Sequence, residues 1–161
     1  MHAYLGLGSN IGDRKRNIEK ALDLLQQETI SVLAVSKLYE TEPWGFICDN
    51  AFLNSVAKIE TDLSPSNLLT VCKAIEKKMG RVQKKTDKYE SRPVDIDILF
   101  YEDTIFNEEG LTIPHPLIQE RLFVLQPFCD IAPDFIHPQL HERMDILLEK
   151  CQDKNWVRNG K

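Results

Sequence analysis

The stretch Arg92-Pro-Val-Asp-Ile-Asp-Ile-Leu-Phe-Tyr101 alternates apolar and acidic residues, which is the period of a β-strand. Its valine and two isoleucines share one face, and Asp95 and Asp97 share the other, about 7 Å apart along the strand. Neighbouring carboxylates favour a bound cation, and aspartate oxygens suit Mg2+, which also binds phosphates. The stretch therefore predicts a metal site. The alternative is an exposed strand face that happens to carry two aspartates.

The segment from Lys77 to Arg92, directly upstream, is strongly basic. It holds seven lysines and arginines against two acidic residues, in a chain whose net charge is −5. A basic segment beside a carboxylate pair is what a metal–polyphosphate site needs, because lysine and arginine side chains offset the phosphate charge that the metal does not neutralise. The alternative is a solvated lysine loop.

The bulk composition predicts one domain over residues 1–161, with 42% hydrophobic and 28% charged residues. The acidic balance disfavours a general nucleic-acid binder. The four cysteines form no Cys-x-x-Cys pair, which disfavours a zinc knuckle or a thioredoxin-type centre. No signal segment and no apolar run of membrane-spanning length is visible, so we expect a cytoplasmic protein without a membrane partner.

Local patterns predict the framework around the acidic stretch. Helices are expected over residues 14–27, capped by Asp13, and after Ser64-Pro65, where serine caps and proline occupies the first turn. Long strands are expected over residues 30–40 and 52–60. Gly6 and Gly8 resemble the start of a dinucleotide fingerprint, but the third glycine is misplaced. We therefore expect them to permit positive φ or close packing.

Two further regions carry candidate binding residues. The loop over residues 41–50 holds Trp44, and long loops with aromatics are often binding loops, although Trp44 could simply pack beneath the loop. Asn54 is an amide in an apolar strand, which suits the edge of a heterocycle or a nearby backbone group. The prolines around His115 predict a helix start at Pro116, where anions are favoured, although a lone histidine is often structural.

Several of these segments, in this order, resemble the 6-hydroxymethyl-7,8-dihydropterin pyrophosphokinase family. The matching segments are Leu5–Asp13, Tyr39–Gly45, Phe52–Asn54, Glu76–Arg81, Arg92–Leu99, Ile113–His115 and Arg121–Leu125. The resemblance covers about residues 1–138. It leaves residues 139–161 as a C-terminal helix and a tail, of which we expect residues 154–161 to be frayed.

The resemblance implies an α+β, ferredoxin-like fold with a mainly antiparallel sheet flanked by helices. It implies transfer of pyrophosphate from ATP to a reduced pterin, with AMP released. The implied catalytic residues are Arg81, Arg92, Asp95 and Asp97, the two aspartates holding two Mg2+ ions. The implied ATP-binding residues are Glu76, Lys84, Lys88, Ile98, Thr112, His115 and Arg121. The implied pterin-binding residues are Thr41, Glu42, Pro43, Trp44, Phe52, Asn54 and Phe123.

The chain also departs from the family pattern. Residues 88–92 read Lys-Tyr-Glu-Ser-Arg where many members have Arg-Trp-Gly-Pro-Arg, which puts Glu90 near the phosphates. Which loop lysine replaces the family arginine is left open, and lysine lacks the bidentate fork of arginine. Pro116 stands where some members have tyrosine.

Two other functions compete with this interpretation. A non-catalytic ferredoxin-like module could bind nucleotide or RNA through residues 77–92, but it would not need the aspartate pair. Nucleotidyltransferases of the Asp-x-Asp type carry a Gly-Ser pair about a dozen residues before the aspartates. Here the Gly8-Ser9 pair lies 86 residues before Asp95, which disfavours that class. We expect small-molecule partners, ATP and the pterin, with no nucleic acid, and a monomer.

Overall fold

The computed structural model describes residues 1–42, 50–80 and 93–160. The strands in these ranges are β1 (His2–Ser9), β2 (Ser31–Val35), β3 (Tyr39–Thr41), β4 (Phe52–Glu60), β5 (Asp95–Tyr101), β6 (Phe106–Glu108), β7 (Leu111–Ile113) and β8 (Val157–Asn159). The helices are α1 (Arg14–Gln27), α2 (Pro65–Lys78), α3 (Leu122–Ile131) and α4 (Met144–Lys150). None of the helices in the described part of the chain has the length and apolarity to cross a bilayer.

The main sheet is antiparallel, in the order β5-β1-β4-β3-β8, with β2 also pairing β4 beside β3. In chain order the elements are β1, α1, β2 and β3, β4, α2 and β5, and strands β1 and β4 lie side by side within the sheet. This is the split βαβ arrangement of ferredoxin-like folds. This confirms the predicted α+β class with a helix-flanked sheet. Strands β6 and β7 form a separate hairpin.

Each face of the sheet buries its own apolar cluster. On the first face Leu5, Ala57 and Ile96 pack with α1 and α2. On the second face Tyr4 and Phe100 pack with residues of α3 and α4. The predicted caps of the first-face helices are present. The Asp13 side chain accepts from the backbone N–H of Arg16 at 3.1 Å, and Ser64 from that of Asn67 at 3.3 Å, contacts worth about 1 kcal/mol each.

The predicted strand over residues 30–40 is wrong in one respect, because it is two strands with a break at Ser36. The Ser36 backbone N–H donates to the Val56 carbonyl at 2.8 Å, and its Oγ accepts from the Val56 N–H at 2.9 Å. The Ser36 hydroxyl therefore accepts the hydrogen bond that a backbone carbonyl would accept in a regular strand pairing. Local β propensity does not predict such a contact.

The predicted fraying of residues 154–161 is also wrong for the part that the structure describes, residues 154–160. Residues Val157–Asn159 form β8, in register with Tyr39–Thr41 of β3. Without β8, the N–H and C=O groups on the outer side of β3 would lack hydrogen-bond partners, and β8 provides those partners. The predicted last helix over residues 144–150 is confirmed as α4.

Candidate active site

The register across three strands assembles the candidate site. Asp95 of β5 lies opposite Gly8 of β1, and Gly8 lies opposite Asn54 of β4. Asp97 lies opposite Gly6 in the same way. Directly opposed residues point to the same face, so both aspartates and Asn54 face the α3 side of the sheet. Each step across an antiparallel pair spans about 5 Å, which puts the Cα atoms of Asp95 and Asn54 about 10 Å apart.

The centre of that row has no side chain, since it is Gly8. A Cβ atom built on Gly8 would lie 2.9 Å from Asn54 Oδ1 and 3.6 Å from Phe52 Cδ1. Close packing, one of the two expected reasons for this glycine, is therefore the one that applies. The strand pairs antiparallel on both sides, which agrees with rejecting the dinucleotide fingerprint. Gly8 is itself buried, so the Asn54 amide lies close over β1, beside Phe52 and on the face of the carboxylates.

Asn54 forms one wall of the site together with Thr41 and Phe52. Its side chain is 8% exposed, and its Nδ2 donates to Thr41 Oγ1 at 2.5 Å. Thr41 lies opposite Phe52 in the β3–β4 register, so all three side chains share the face of the aspartates. The structure thus brings together three residues predicted to bind pterin.

Glu76 fixes the backbone between the two aspartates. Its side chain is 2% exposed, and its Oε1 accepts from the Ile96 N–H at 2.8 Å. Its Oε2 accepts from Lys73 Nζ at 3.3 Å. Because β5 is an edge strand, this N–H would otherwise lack a ladder partner, and Glu76 ties α2 to the acidic strand instead. The predicted contact of Glu76 with ATP stays a prediction.

His115 lies beside the acidic strand, where its backbone N–H donates to the Leu99 carbonyl at 2.9 Å. Burial lowers the pKa of its imidazole, the charge of Arg121 lowers it further, and Asp95 acts in the opposite direction. These opposing influences mean that both Arg121 and Asp95 are near enough to act on the ring. The structure therefore brings His115 and Arg121 to the acidic end of the site.

The predicted helix start at Pro116 is wrong. Leu117 has a φ of 72°, which interrupts the helical path, and only a short 3-10 turn, Ile118–Glu120, follows. Helix α3 begins at Leu122. His115 is therefore held by the edge of β5 and not by a helix N-terminus.

The start of α3 supplies the remaining wall. The Arg121 guanidinium lies 5.8 Å from the centre of the Phe123 ring, which is a cation–π contact. Helix α3 is tied to β3 by the Tyr39 hydroxyl, which donates to Asp130 at 2.9 Å. Helix α3, which carries Phe123, therefore packs on the face of the sheet to which the Phe52 side chain points.

The other predicted residues differ in where they lie. Ile98 is 3% exposed and belongs to the first-face core, so its predicted contact with the nucleotide stays a prediction. Thr112 is exposed on β7, where its Oγ1 donates to Asn107 Oδ1 at 3.3 Å. The predicted site residues Pro43, Trp44, Arg81, Lys84, Lys88 and Arg92 lie outside the described residues.

The aspartate pair suits a cation that needs few protein ligands. Asp95 and Asp97 are both half-buried. Within residues 1–42, 50–80 and 93–160, no three histidine, cysteine or acidic side chains group as a metal cage would require. Mg2+ usually binds one or two carboxylates and keeps its other positions for water and substrate phosphates. Two hard oxygen ligands that are both partly exposed therefore fit Mg2+.

Several contacts at this site could not be predicted from local sequence patterns. Gly8 and Asn54 are separated in sequence and meet only through strand register, and Arg14 reaches Glu40 Oε2 at 3.0 Å across the end of β3. The predicted pterin residue Glu42 makes contacts with the tail strand, since its N–H donates to the Trp156 carbonyl at 3.3 Å.

The sequence matches a known family model, described as 7,8-dihydro-6-hydroxymethylpterin-pyrophosphokinase (HPPK), over residues 4–133. A 2-amino-4-hydroxy-6-hydroxymethyldihydropteridine pyrophosphokinase of Porphyromonas gingivalis is 42% identical over 139 residues, which are 84% of this chain and 93% of that protein. The folic acid synthesis protein fol1 of Schizosaccharomyces pombe is 49% identical over 149 residues, which are 92% of this chain but 20% of that protein.

Solved structures agree on the fold. An HPPK-DHPS structure in complex with substrates superposes with a TM-score of 0.75 at 15% identity, covering 92% of this chain and 43% of that one. A Plasmodium falciparum HPPK-DHPS structure gives a TM-score of 0.74 at 18% identity, covering 92% of this chain and 45% of that one. The chain thus spans less than half of these two proteins.

Proposed function

The chain belongs to the 7,8-dihydro-6-hydroxymethylpterin-pyrophosphokinase family, and we propose that it transfers pyrophosphate from ATP to the hydroxymethyl group of 6-hydroxymethyl-7,8-dihydropterin. The products are AMP and the pterin diphosphate, in folate biosynthesis. The observation on which this rests most is the row Asp95–Gly8–Asn54, which places a carboxylate pair and a buried amide on one face of the sheet, about 10 Å apart. A non-catalytic nucleotide-binding or RNA-binding module would have no need of that row.

The pterin lies over Gly8 in this proposal. Asn54 and Thr41 hydrogen-bond the polar edge of the heterocycle, because a buried amide and hydroxyl offer both donors and acceptors. Phe52 and Phe123 stack on its faces, which is an effective way to hold a flat ring. This orientation directs the hydroxymethyl group away from Asn54 and toward Asp95.

Asp95 and Asp97 would hold Mg2+, two ions by resemblance to the family. When bound, the metal neutralises phosphate charge and orients the pterin hydroxyl. His115 and Arg121 contact the ATP phosphates from the other side. Burial and the charge of Arg121 lower the pKa of His115, and the Nδ1–H of its imidazole donates to the Pro116 carbonyl at 2.6 Å, so Arg121 supplies the positive charge here.

The reaction is an in-line displacement at the β-phosphorus of ATP. The hydroxyl oxygen of the pterin forms a bond to that phosphorus while the bond to the α–β bridging oxygen breaks, so AMP leaves with the electron pair. The hydroxyl proton passes to solvent or phosphate. Positioning and charge stabilisation account for most of the catalysis in such transfers, which agrees with the absence of an assigned general base.

In this proposal the protein acts as a single domain over residues 1–161, as a monomer in the cytoplasm, on small molecules and without nucleic acid. The proposal also includes the predicted roles of the residues outside the described ranges: Arg81 and Arg92 contact the phosphates, Lys84 and Lys88 bind ATP, and Trp44 binds the pterin. Each rests on resemblance to the family.

A product assay tests the function. The purified chain is mixed with ATP, Mg2+ and 6-hydroxymethyl-7,8-dihydropterin, and the nucleotides are separated by chromatography. We expect AMP and pterin diphosphate in equal amounts, and no product when the metal is chelated. ADP in place of AMP would mean simple kinase chemistry. No turnover by folded protein would contradict the proposal.

A further inference from the structure

The C-terminal segment, residues 153–160, contacts both walls of the proposed pterin site. Its first contact is at the start of α3, where Asp153 Oδ2 accepts from the Leu122 N–H at 3.0 Å. The Asp153 side chain is held in turn by the Asn155 N–H, which donates to Oδ1 at 2.9 Å. Arg121, at the N-cap position, makes no side-chain cap bond. Asp153 therefore caps α3 from a distant part of the chain, one residue before Phe123.

The second contact of the C-terminal segment is with β3. Strand β8 pairs with β3 up to its last residue, with Val157 opposite Thr41. The Gly160 N–H donates to the Leu38 carbonyl at 2.7 Å. Beyond the strand, the Trp156 N–H donates to Glu42 Oε2 at 3.3 Å. The segment thus follows β3 along its full length, to the residues predicted to bind pterin.

Glu40 links this segment to both strands of the wall. Its carboxylate accepts from Arg158 of β8 and from Arg14 of α1, and these two arginines hold its pKa below the usual value. Arg14 Nη1 also donates to the Ala51 carbonyl at 2.9 Å, directly before Phe52. The ends of β3 and β4 are therefore tied to each other and to the C-terminal segment.

We propose that the C-terminal segment is a positioning element for the pterin, which fixes the start of α3, bearing Phe123, relative to the β3–β4 end, bearing Thr41 and Phe52. The inference rests on the proposed function, since it assumes that the pterin binds between these residues. A purely structural segment would stabilise the sheet edge without a preference for one substrate. A positioning element affects pterin binding more than ATP binding, because it fixes Phe123, Thr41 and Phe52 at the pterin but only Arg121 at the ATP phosphates.

The test is Asp153→Ala, with Asp153→Asn as the conservative variant and Lys154→Ala, an exposed neighbour, as the matched control. The KM values for pterin and ATP, kcat and the melting temperature are measured for each. Loss of one capping bond at a substrate wall raises the pterin KM about tenfold, and the ATP KM rises less, because only Arg121 at this end of α3 is assigned to ATP. Asp153→Asn restores most of the pterin affinity because its amide oxygen still accepts.

A second variant, Arg158→Ala, tests the other contact. Its ion pair is partly exposed, so we expect a pterin KM rise of only about threefold. If Asp153→Ala does not fold, the pterin KM of Arg158→Ala decides. An unchanged pterin KM with a lower melting temperature would overturn the positioning role while leaving the proposed function intact. A wild-type chain that makes no AMP would overturn both.

Discussion

The two faces of strands β1, β4 and β5 share one backbone and differ in what their side chains do. On the first face Leu5 and Leu7 of β1 are buried, with 0% and 2% of their surface exposed. On the second face the same strand presents Gly6 and Gly8, beside half-buried Asp97 and Asp95. One face is filled and the other is left open over part of its length. Stability and function are thus placed on opposite sides of the sheet, and substitutions separate them.

The second face is itself divided along β1. At one end Tyr4 packs against Phe128 and Phe135, with ring centres 4.6 Å and 5.1 Å apart. At the other end Gly6 and Gly8 let the side chains of Leu99 and Asn54 lie close to β1, beside the aspartates. A residue's position along the strand therefore decides whether it supports the core or the site.

The largest expected effect is that of Asp97→Ala on the open face. Turnover falls by at least about a thousandfold, because one of two metal-holding carboxylates is lost. The melting temperature changes little, since the side chain is half-buried on an open surface. AMP release and thermal unfolding are the measurements, with Asp103→Ala, exposed beyond the other end of β5, as the control. Near-normal turnover in Asp97→Ala would remove the metal assignment.

Leu5→Ala should do the reverse on the filled face. It removes a side chain with 0% exposure and leaves a cavity, which lowers the free energy of unfolding by about 2–5 kcal/mol. The KM values of the folded fraction stay near wild type, since Leu5 points away from the aspartates. Urea unfolding and steady-state kinetics measure the two quantities. A large KM change with little loss of stability would break the division between the faces.

Gly8→Ala adds a methyl group to the open face. The new Cβ would lie 2.9 Å from Asn54 Oδ1, so the amide must shift and we expect the pterin KM to rise about tenfold. Gly6→Ala is the matched variant on the same strand and face, where the nearest atom, Leu99 Cδ2, is 3.4 Å away. Its effect on pterin binding should be smaller. Equal effects of both variants would show that Asn54 is not the residue disturbed.

The smallest expected effect is a pH dependence at the packed end of the second face. His137 is 2% exposed, and its Nδ1 accepts from the backbone N–H groups of Gln139 and Leu140, each at 3.2 Å. Burial lowers the pKa of His137, and His141 lowers it further. The unfolded chain therefore binds this proton more readily, so stability falls as the pH drops below about 6.5.

His137→Asn should flatten that acid-side loss of stability, because asparagine keeps an acceptor without titrating. Denaturant melts at pH 7.5 and 5.5 compare the variant with wild type. His141→Asn, on an exposed turn, is the control and should keep most of the wild-type slope. An identical pH slope in wild type and His137→Asn would exclude His137 as the source.

Local patterns in the sequence predicted much of the framework. The helix over residues 14–27, the strand over residues 52–60 and both caps are present as expected, because capping and side-chain periodicity depend on residues only two to four positions apart. The same reasoning placed Asp95 and Asp97 on one face and Ile96 on the other. The shared face of Asp95 and Asp97 was thus predicted from the sequence, while the functional roles of the site residues stay predictions.

Contacts between distant segments were decided only in three dimensions. The row Asp95–Gly8–Asn54, the bond from Ile96 to Glu76 and the pairing of β8 with β3 each depend on register between strands or helices far apart in sequence. The start of α3 at Leu122 depends on Leu117 adopting positive φ, which no local rule favours for leucine. By itself the sequence determined which residues alternate, cap and carry charge. The tertiary structure decided which of them meet, because strand register is set by the packing of the whole sheet.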